Sequence, residues 1–456
     1  ISDSAGNVDW AQVRDAGQKS FVFIKATSGL LNDQKANLDA NVAAIFRDAP
    51  ELQVGAYHFA YPNFSVEHTG VAEASHFLSI ATSYIGPGYL PPVLDIENAR
   101  QDPELFLNNH RTPLILDKIQ YAPELVAAIK RRIDKSRAPG QYILTGSQQW
   151  GVLKVIAESL AGRAVFLDLE GFSLAEIAAS QVQNSWLSAW LESPSGFLSA
   201  PPGRLPLSAT LYEQLWRGWL PEAQFLPLET IPDFYTAYLR TYIERDVRLL
   251  AEVSDWQLFG RFVRLSAALS AQEINHSQLG RELGLNPKTS ARWLAILRAT
   301  FQWYELPAYS GSTVKRISGK PKGYIADTGL ACTAQAISSP RAIGGHPLWG
   351  ALFETAVAGE IRKLCSVLSP KPNMYHWRTH AGAEVDLLLE RDGIFFPIEI
   401  KAGSNPTAAD LSGITAFRKT YPGLHVEKGL VIAPIDKIIP LSEKDYAIPW
   451  DLGGMK

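Results

Sequence analysis

Cysteine is nearly missing from this chain. Cys332 and Cys365 are its two thiols in 456 residues, too few for a disulfide framework, so nothing calls for an oxidising compartment. Long apolar runs are missing as well, which excludes a helix that spans a bilayer, and no membrane span is expected. Neither sign of charge dominates. The net charge is −3, so the chain as a whole is drawn neither to nucleic acid nor to membrane, although a local basic patch stays open. No signal peptide is visible at Ile1. The last absence is chemical. A nucleotide cradle needs G-x-x-x-x-G-K-[ST], whose backbone N–H groups wrap the phosphates and whose lysine neutralises them. Gly319-Lys320 is followed by Pro321, with Val314 where the first glycine belongs, and Gly17-Gln18-Lys19-Ser20 has the wrong spacing.

What is present is enough hydrophobic sequence, 46%, for soluble globular domains. The length has room for roughly three of them. In the first hundred residues, strands are expected at 21–25, 52–59 and 91–97, with amphipathic helices at 38–49 and 66–81. That alternation predicts a parallel sheet or barrel. Asp95 and Glu97 lie two apart on a strand and share a face. Paired carboxyls push their pKa values apart, so that one serves as general acid while the other stays ionised, as glycoside hydrolysis requires. Solvated acids at a strand end would look the same.

The surroundings are more specific. Gly6-Asn7-Val8-Asp9-Trp10, Phe21-Val22-Phe23-Ile24-Lys25-Ala26-Thr27, Gly55-Ala56-Tyr57-His58-Phe59-Ala60 and Pro92-Val93-Leu94-Asp95-Ile96-Glu97 occur in the order seen in family 25 glycoside hydrolases. Residues 1–99 thus resemble muramidase-type lysozymes. The resemblance implies a barrel-like α/β fold, peptidoglycan as substrate and export as the natural fate. It also implies Glu97 as general acid, Asp95 as its partner and Tyr57 along the sugar cleft. Two of the family's acids are not matched: Asp3 lies on the wrong side of the first position, and Ser28 stands at the other. Only about half of the barrel has a counterpart here.

Further on, Arg111-Thr112-Pro113-Leu114-Ile115-Leu116-Asp117 reads as a Walker B strand whose Asp117 would hold Mg²⁺. Residues 141–147 form a second buried strand, with Thr145 at the polar end that would face a γ-phosphate. An ordinary βαβ core with polar strand ends reads the same way. Residues 277–300 have the spacing of a helix-turn-helix: Leu279 and Leu283 face inward, Gly284 sits at the turn and Pro287 opens the second helix. Leu294 and Leu297 bury that helix. Lys288, Thr289, Ser290 and Arg292 are then expected at its exposed N-terminal end, where such helices meet bases and phosphates. A strand at 303–307 and a basic segment at 315–322 resemble a wing. A winged helix used only for protein packing is the alternative.

Toward the end, Glu354 sits in a helix expected to run from residue 352 to 364. Strands at 384–390 and 395–401 are joined by the turn Arg391-Asp392-Gly393. Glu399 and Lys401 share a face, and Asp386 lies on the paired strand. This is the D…E-x-K constellation of the restriction-endonuclease-like fold. There Asp386 and Glu399 would hold Mg²⁺ with Glu354 as accessory acid, and Lys401 would position or activate water. A retained fold that binds without cleaving is the equal alternative. His376 and His380 have H-x-x-x-H spacing, but Tyr375, Trp377 and Gly382 place them on a strand and loop, which argues against zinc.

Residues 114–125, 142–150 and 159–177, together with Thr241-Tyr242-Ile243-Glu244-Arg245-Asp246-Val247-Arg248, resemble a bacterial and archaeal family of AAA-type ATPases. These carry a winged helix and a nuclease-like C-terminal domain, and the resemblance covers residue 100 to the end. It implies a P-loop upstream of Arg100, where the lysozyme-like piece stands, and a glutamate after the Walker B aspartate, where Lys118 stands. A cation cannot take the attacking water's proton, so neither ATP binding nor hydrolysis is expected.

The expected fold class is α/β multidomain. Its expected modules are a partial TIM-like barrel at 1–99, a partial P-loop ATPase sheet at 100–221, a winged helix at 222–330 and a restriction-endonuclease-like domain at 331–456. Two function classes follow: a cell-wall glycosidase, or a DNA-associated protein with a Mg²⁺-dependent nuclease-like tail. Their compartments conflict, since muramidases are secreted and the ATPase-like modules are expected in the cytoplasm.

Overall fold

The computed structural model describes residues 21–28, 32–33, 35–49, 53–59, 93–95, 102–108, 110–117, 119, 122–146, 160–180, 184–240, 255–312, 316 and 319–455. Asp3, Glu97, Lys118, the helix expected at 66–81 and the segment 241–248 lie outside them. The chain divides into two compact units, Ile1–Leu167 and Asp168–Lys456. It is a mixed α/β chain with several separate sheets.

The first unit alternates strand and helix. The elements are β1 (Phe21–Ser28), β2 (Asn32–Asp33), α1 (Lys35–Asp48), β3 (Gln53–Phe59), β4 (Val93–Asp95), α2 (Pro103–Asn108), β5 (Leu114–Asp117), α3 (Glu124–Lys135) and β6 (Tyr142–Leu144). The strands join in one sheet of order β2-β1-β3-β4-β5-β6. All neighbours are parallel except β1 and β2. The boundary expected at residue 99 therefore falls between two hydrogen-bonded strands. β4 and β5 pair in register, with Val93 opposite Ile115, Leu94 opposite Leu116 and Asp95 opposite Asp117. Leu114 and Leu116 of β5 pack against Leu125, Val126 and Ile129 of α3 and Leu107 of α2. The basic side of α3 is tied back by Arg131, 2.7 Å from Glu104, and by Arg132, which donates to the Leu107 carbonyl at 2.6 Å.

Residues 164–170 have no regular structure, and Val165, Leu167 and Leu169 are 87%, 85% and 96% exposed.

The second unit opens with a one-turn helix at Leu174–Ile177, followed by β7 (Asn184–Ser185) and short helices rich in tryptophan. Trp186, Trp190, Trp216 and Trp219 are all buried in its core, which agrees with packing rather than base stacking. The middle of the unit runs α4 (Trp256–Ala268), β8 (Gln272–Glu273), α5 (His276–Leu283), α6 (Pro287–Ala299), β9 (Trp303–Leu306) and β10 (Lys322–Ile325). The three strands form an antiparallel sheet of order β8-β10-β9. Two signals for α5 and α6 act as read: Pro287 opens α6, and Gly284 closes α5 at φ 69°; the structure adds Asn275 and Asn286 as caps of the two helix starts.

The end of the unit comprises α7 (Trp349–Ser366), β11 (Asn373–Arg378), β12 (Glu384–Arg391), β13 (Ile394–Ile400), α8 (Ser412–Thr420), β14 (His425–Val426), β15 (Leu430–Ala433), β16 (Ile439–Pro440), β17 (Tyr446–Pro449) and β18 (Gly454–Met455). Seven of these strands make one sheet, β11-β12-β13-β15-β17-β16 with β14 beside β13. Its faces are sorted by period two along β13 and along β12 from residue 387, and a register shift in the β11–β12 pairing sets Val385 on the opposite face from Leu387. Leu387, Leu389, Ile398 and Ile432 belong to the core that includes Phe353 and Ile361 of α7. Val385, Phe395 and Val431 pack with Ile414 and Phe417 of α8. Burial on both faces is why these strands read as continuous apolar runs. Last, β18 pairs antiparallel with β7.

Candidate functional site

The hairpin β12–β13 turns at Asp392 and Gly393, both at positive φ, 56° and 78°. Its register, with Leu387 opposite Ile398, brings Asp386 at the start of β12 beside Glu399 near the end of β13. The Ile400 N–H donates to Asp386 Oδ2 at 2.9 Å. Lys401 Nζ lies 2.9 Å from Glu399 Oε2 and 3.7 Å from Asp386 Oδ2. The structure thus assembles the predicted Asp386, Glu399 and Lys401. α7 adds Glu354, which accepts a hydrogen bond from the Tyr324 hydroxyl at 2.7 Å. α8 approaches so closely at Gly413 that a Cβ there would collide with the Glu384 carbonyl and Glu399 Oε1.

A residue outside the expected set sits in the middle. Lys322, first residue of β10, places Nζ 2.6 Å from Glu354 Oε1, 2.7 Å from Glu384 Oε1 and 3.1 Å from Asp386 Oδ1. Its side chain is 3% exposed. Arg378 reaches the other Glu384 oxygen at 3.5 Å. Beyond Glu384 lies a polar cleft of about 400 Å³, lined among others by Gln272, Gln278, Lys320 and Arg378.

The cluster divides its charge unevenly. Burial opposes ionisation of Asp386, but Lys322 and Lys401 outweigh it and hold the carboxyl below its usual range. Burial and the charge of Asp386 push Glu399 up to about 9. Burial, then Asp386, push Glu354 up to about 7, against the pull of Lys322. Burial disfavours the Lys322 ammonium, yet the three carboxylates more than offset it and its pKa is raised. Glu399 Oε1 is buried with no hydrogen-bond partner.

As arranged, these residues do not fit Mg²⁺. Glu354, Glu384 and Asp386 converge on an ammonium. Among the described residues, no group of three His, Cys, Asp or Glu is arranged to hold a metal ion.

The other predicted positions fall as follows. Lys288 and Arg292 are exposed on α6, and Thr289 is half-buried. Ser290 is not exposed as expected. It is 0% accessible, on the same face as Leu294 and Leu297, and its hydroxyl donates to the Asn286 carbonyl at 3.4 Å. Asp117 and Thr145 meet, but on each other: the Thr145 hydroxyl donates to Asp117 Oδ1. Asp95 lies in register with Asp117 at the carboxyl ends of β4 and β5. His376 is on strand β11, buried, with Nε2 3.0 Å from the Lys320 carbonyl. Burial pushes the thiols of Cys332 and Cys365 up to about 12. Among the described residues, no helix is long and apolar enough to cross a membrane.

Comparison with known proteins finds several families along the chain, and their bounds do not coincide with the division at residue 167. Residues 1–123 match glycosyl hydrolases family 25, and residues 91–178 match an AAA domain. The overlap, 91–123, contains both β4 and β5. Residues 208–341 and 349–452 match two domains of unknown function, DUF8612 and DUF4143. The class is therefore a multidomain α/β fusion. Specifically, the chain joins a lysozyme-like family 25 module to an AAA-like domain. Two proteins described as uncharacterized, from Mycobacterium bovis and Mycobacterium tuberculosis, are each 26% identical over 350 residues, 77% of this chain and 71% of theirs. Among solved structures, a family 25 glycosyl hydrolase from Bacillus anthracis is 24% identical, with 27% of this chain and 61% of that one covered at a TM-score of 0.21. Protein VC1899 from Vibrio cholerae is 10% identical, with 79% and 87% covered at a TM-score of 0.18.

Proposed function

We propose that the C-terminal unit is a DNA-binding module built on a winged helix and a nuclease-type sheet that binds without cleaving. The observation that carries this is the order α4-β8-α5-α6-β9-β10 with its β8-β10-β9 sheet. That is the order of a winged helix, and it leaves Lys288 and Arg292 exposed in the first turns of the second helix of the pair. The nearby cleft has Lys320 and Arg378 on its wall beside Glu273 and Glu384, so it adds two cations without a net positive charge. The acid cluster behind it is already balanced by Lys322 and Lys401, so DNA meets cations rather than bare carboxylates.

The test is a mobility shift with duplex DNA over a salt series. Wild type is expected to bind at low salt and to release as salt rises. Lys288→Ala and Arg292→Ala are each expected to weaken binding to unrelated sequences and to lower the salt slope by about one. Unchanged DNA mobility at low salt ends this reading.

A second reading concerns the first unit. The family 25 match and the placement of Asp95 at a strand's carboxyl end, where chemistry gathers in parallel sheets, favour peptidoglycan as its substrate. Cell-wall suspensions should then lose turbidity with the parent chain and not with Glu97→Gln. No clearing by the parent chain rules this out.

A further inference from the structure

We infer that Lys322 is the resident cation of the acid cluster: its ammonium stands where a divalent metal would need to stand, so this nuclease-type constellation excludes Mg²⁺ and Mn²⁺. The inference does not depend on DNA binding.

The donors and acceptors match in number. An ammonium has three protons and no acceptor. Lys322 Nζ has three carboxylate oxygens within 3.1 Å, from Glu354, Glu384 and Asp386. A Mg²⁺ bound by the same oxygens would need them at about 2.0–2.1 Å around one centre. That centre is filled by nitrogen, and two cations cannot share it. The remaining oxygen of Asp386 is taken as well, by the Ile400 N–H and by Lys401.

The lysine is also held from behind. Its backbone is paired on both sides, with Leu306 of β9 and with Glu273 of β8. Lys322 therefore sits in the central strand of a three-stranded sheet, which fixes where its side chain starts, and burial together with three carboxylate partners holds the ammonium at its end. With the side chain sealed from water, the ammonium has no better partners elsewhere. The consequence is structural as well as chemical. The cation comes from β10, the second strand after the helix pair, while the carboxylates come from α7 and β12, so one ion cluster pins two sheets together.

The test is Mn²⁺ binding to the full chain, followed by loss of the free-ion electron paramagnetic resonance signal. Four proteins are compared: wild type, Asp386→Asn, Lys322→Met, and Lys322→Met combined with Asp386→Asn. Other acids can bind Mn²⁺ weakly, so the readout is the portion that Asp386→Asn removes. Wild type should show no such portion. Lys322→Met should gain one bound Mn²⁺ per chain that the double variant loses. An Asp386-dependent Mn²⁺ in wild type overturns the inference, and so does a folded Lys322→Met that gains none. If circular dichroism shows Lys322→Met unfolded, Lys322→Gln takes its place, with the same outcomes required. If both unfold, the pair of wild type and Asp386→Asn decides.

Discussion

Asp386 and Glu399 lie on adjacent strands, share Lys401, and settle on opposite protonation states. Asp386 has two ammoniums and a backbone N–H to stabilise its charge, whereas Glu399 has one lysine and an oxygen with no partner. Raised to about 9, Glu399 keeps its proton in the folded chain through a window in which the unfolded chain has lost it. Unfolded, the same carboxyl titrates near 4.3. Folding therefore takes up a proton between those values, and stability must fall as pH rises through them. Glu354, raised to about 7, acts in the same direction, while the depressed Asp386 acts oppositely and only in acid. Glu399→Gln should remove its share of the decline. Guanidinium midpoints measured from about pH 5 to about pH 9 should fall less steeply for the variant than for wild type; parallel slopes would show that Glu399 is ionised after all. Asp386, Glu399 and Lys401 could be read from the hairpin and the E-x-K spacing, because β12 and the end of β13 have a clear period, whereas Glu354 came from the resemblance alone. Lys322 could not. A lysine in a basic stretch reads as surface, and only tertiary contact with distant acids, two of them 62 and 64 residues away in sequence, makes it a core residue. Ser290 was legible and misread: positions 290, 294 and 297 are one helical face, so burial of the two leucines implied burial of the serine.

Among the elements, those with strong end signals appear where the residues put them. The asparagine caps, Pro287 and Gly284 bracket α5 and α6, and the Asp392-Gly393 turn fixes the β12–β13 hairpin. Two-residue strands such as β7, β8 and β18 carry no period of their own, because pairing alone defines them. The helix after the constellation, α8, had no motif to announce it, yet it closes the site from one side. Gly413 permits that approach, since any side chain would meet the backbone of β12. Gly413→Ala is expected to cost at least about 1–3 kcal/mol, the usual range for overpacking a tight core. It should also loosen the Asp386–Glu399 pair. A lowered urea midpoint with an unchanged slope checks the first part; a midpoint equal to wild type would mean the helix can retreat freely.

At the scale of the whole molecule, the reading by resemblance foresaw two lineages, and the comparisons agree. It also foresaw a break between them near residue 99, with half a barrel on one side and an incomplete nucleotide sheet on the other. Backbone pairing does not observe that boundary. Strands of both origins are parallel, rise by the same amount per residue and present the same ladder of donors and acceptors, so β4 and β5 join despite their different sources. Sequence motifs record ancestry, whereas the ladder depends only on direction and spacing. That is why the chemistry of each half could be named from residues while the continuity of the sheet could not.

The exposed residues 165, 167 and 169 carry a consequence of another kind. Branched side chains recur there at every second position, the step of a strand, and the backbone beside them has no ladder to join among the described residues. Such a segment is a ready complement for the bare edge of some other sheet. In concentrated solution its tendency to recruit neighbours, rather than a net charge of −3, would set how long the protein stays dispersed.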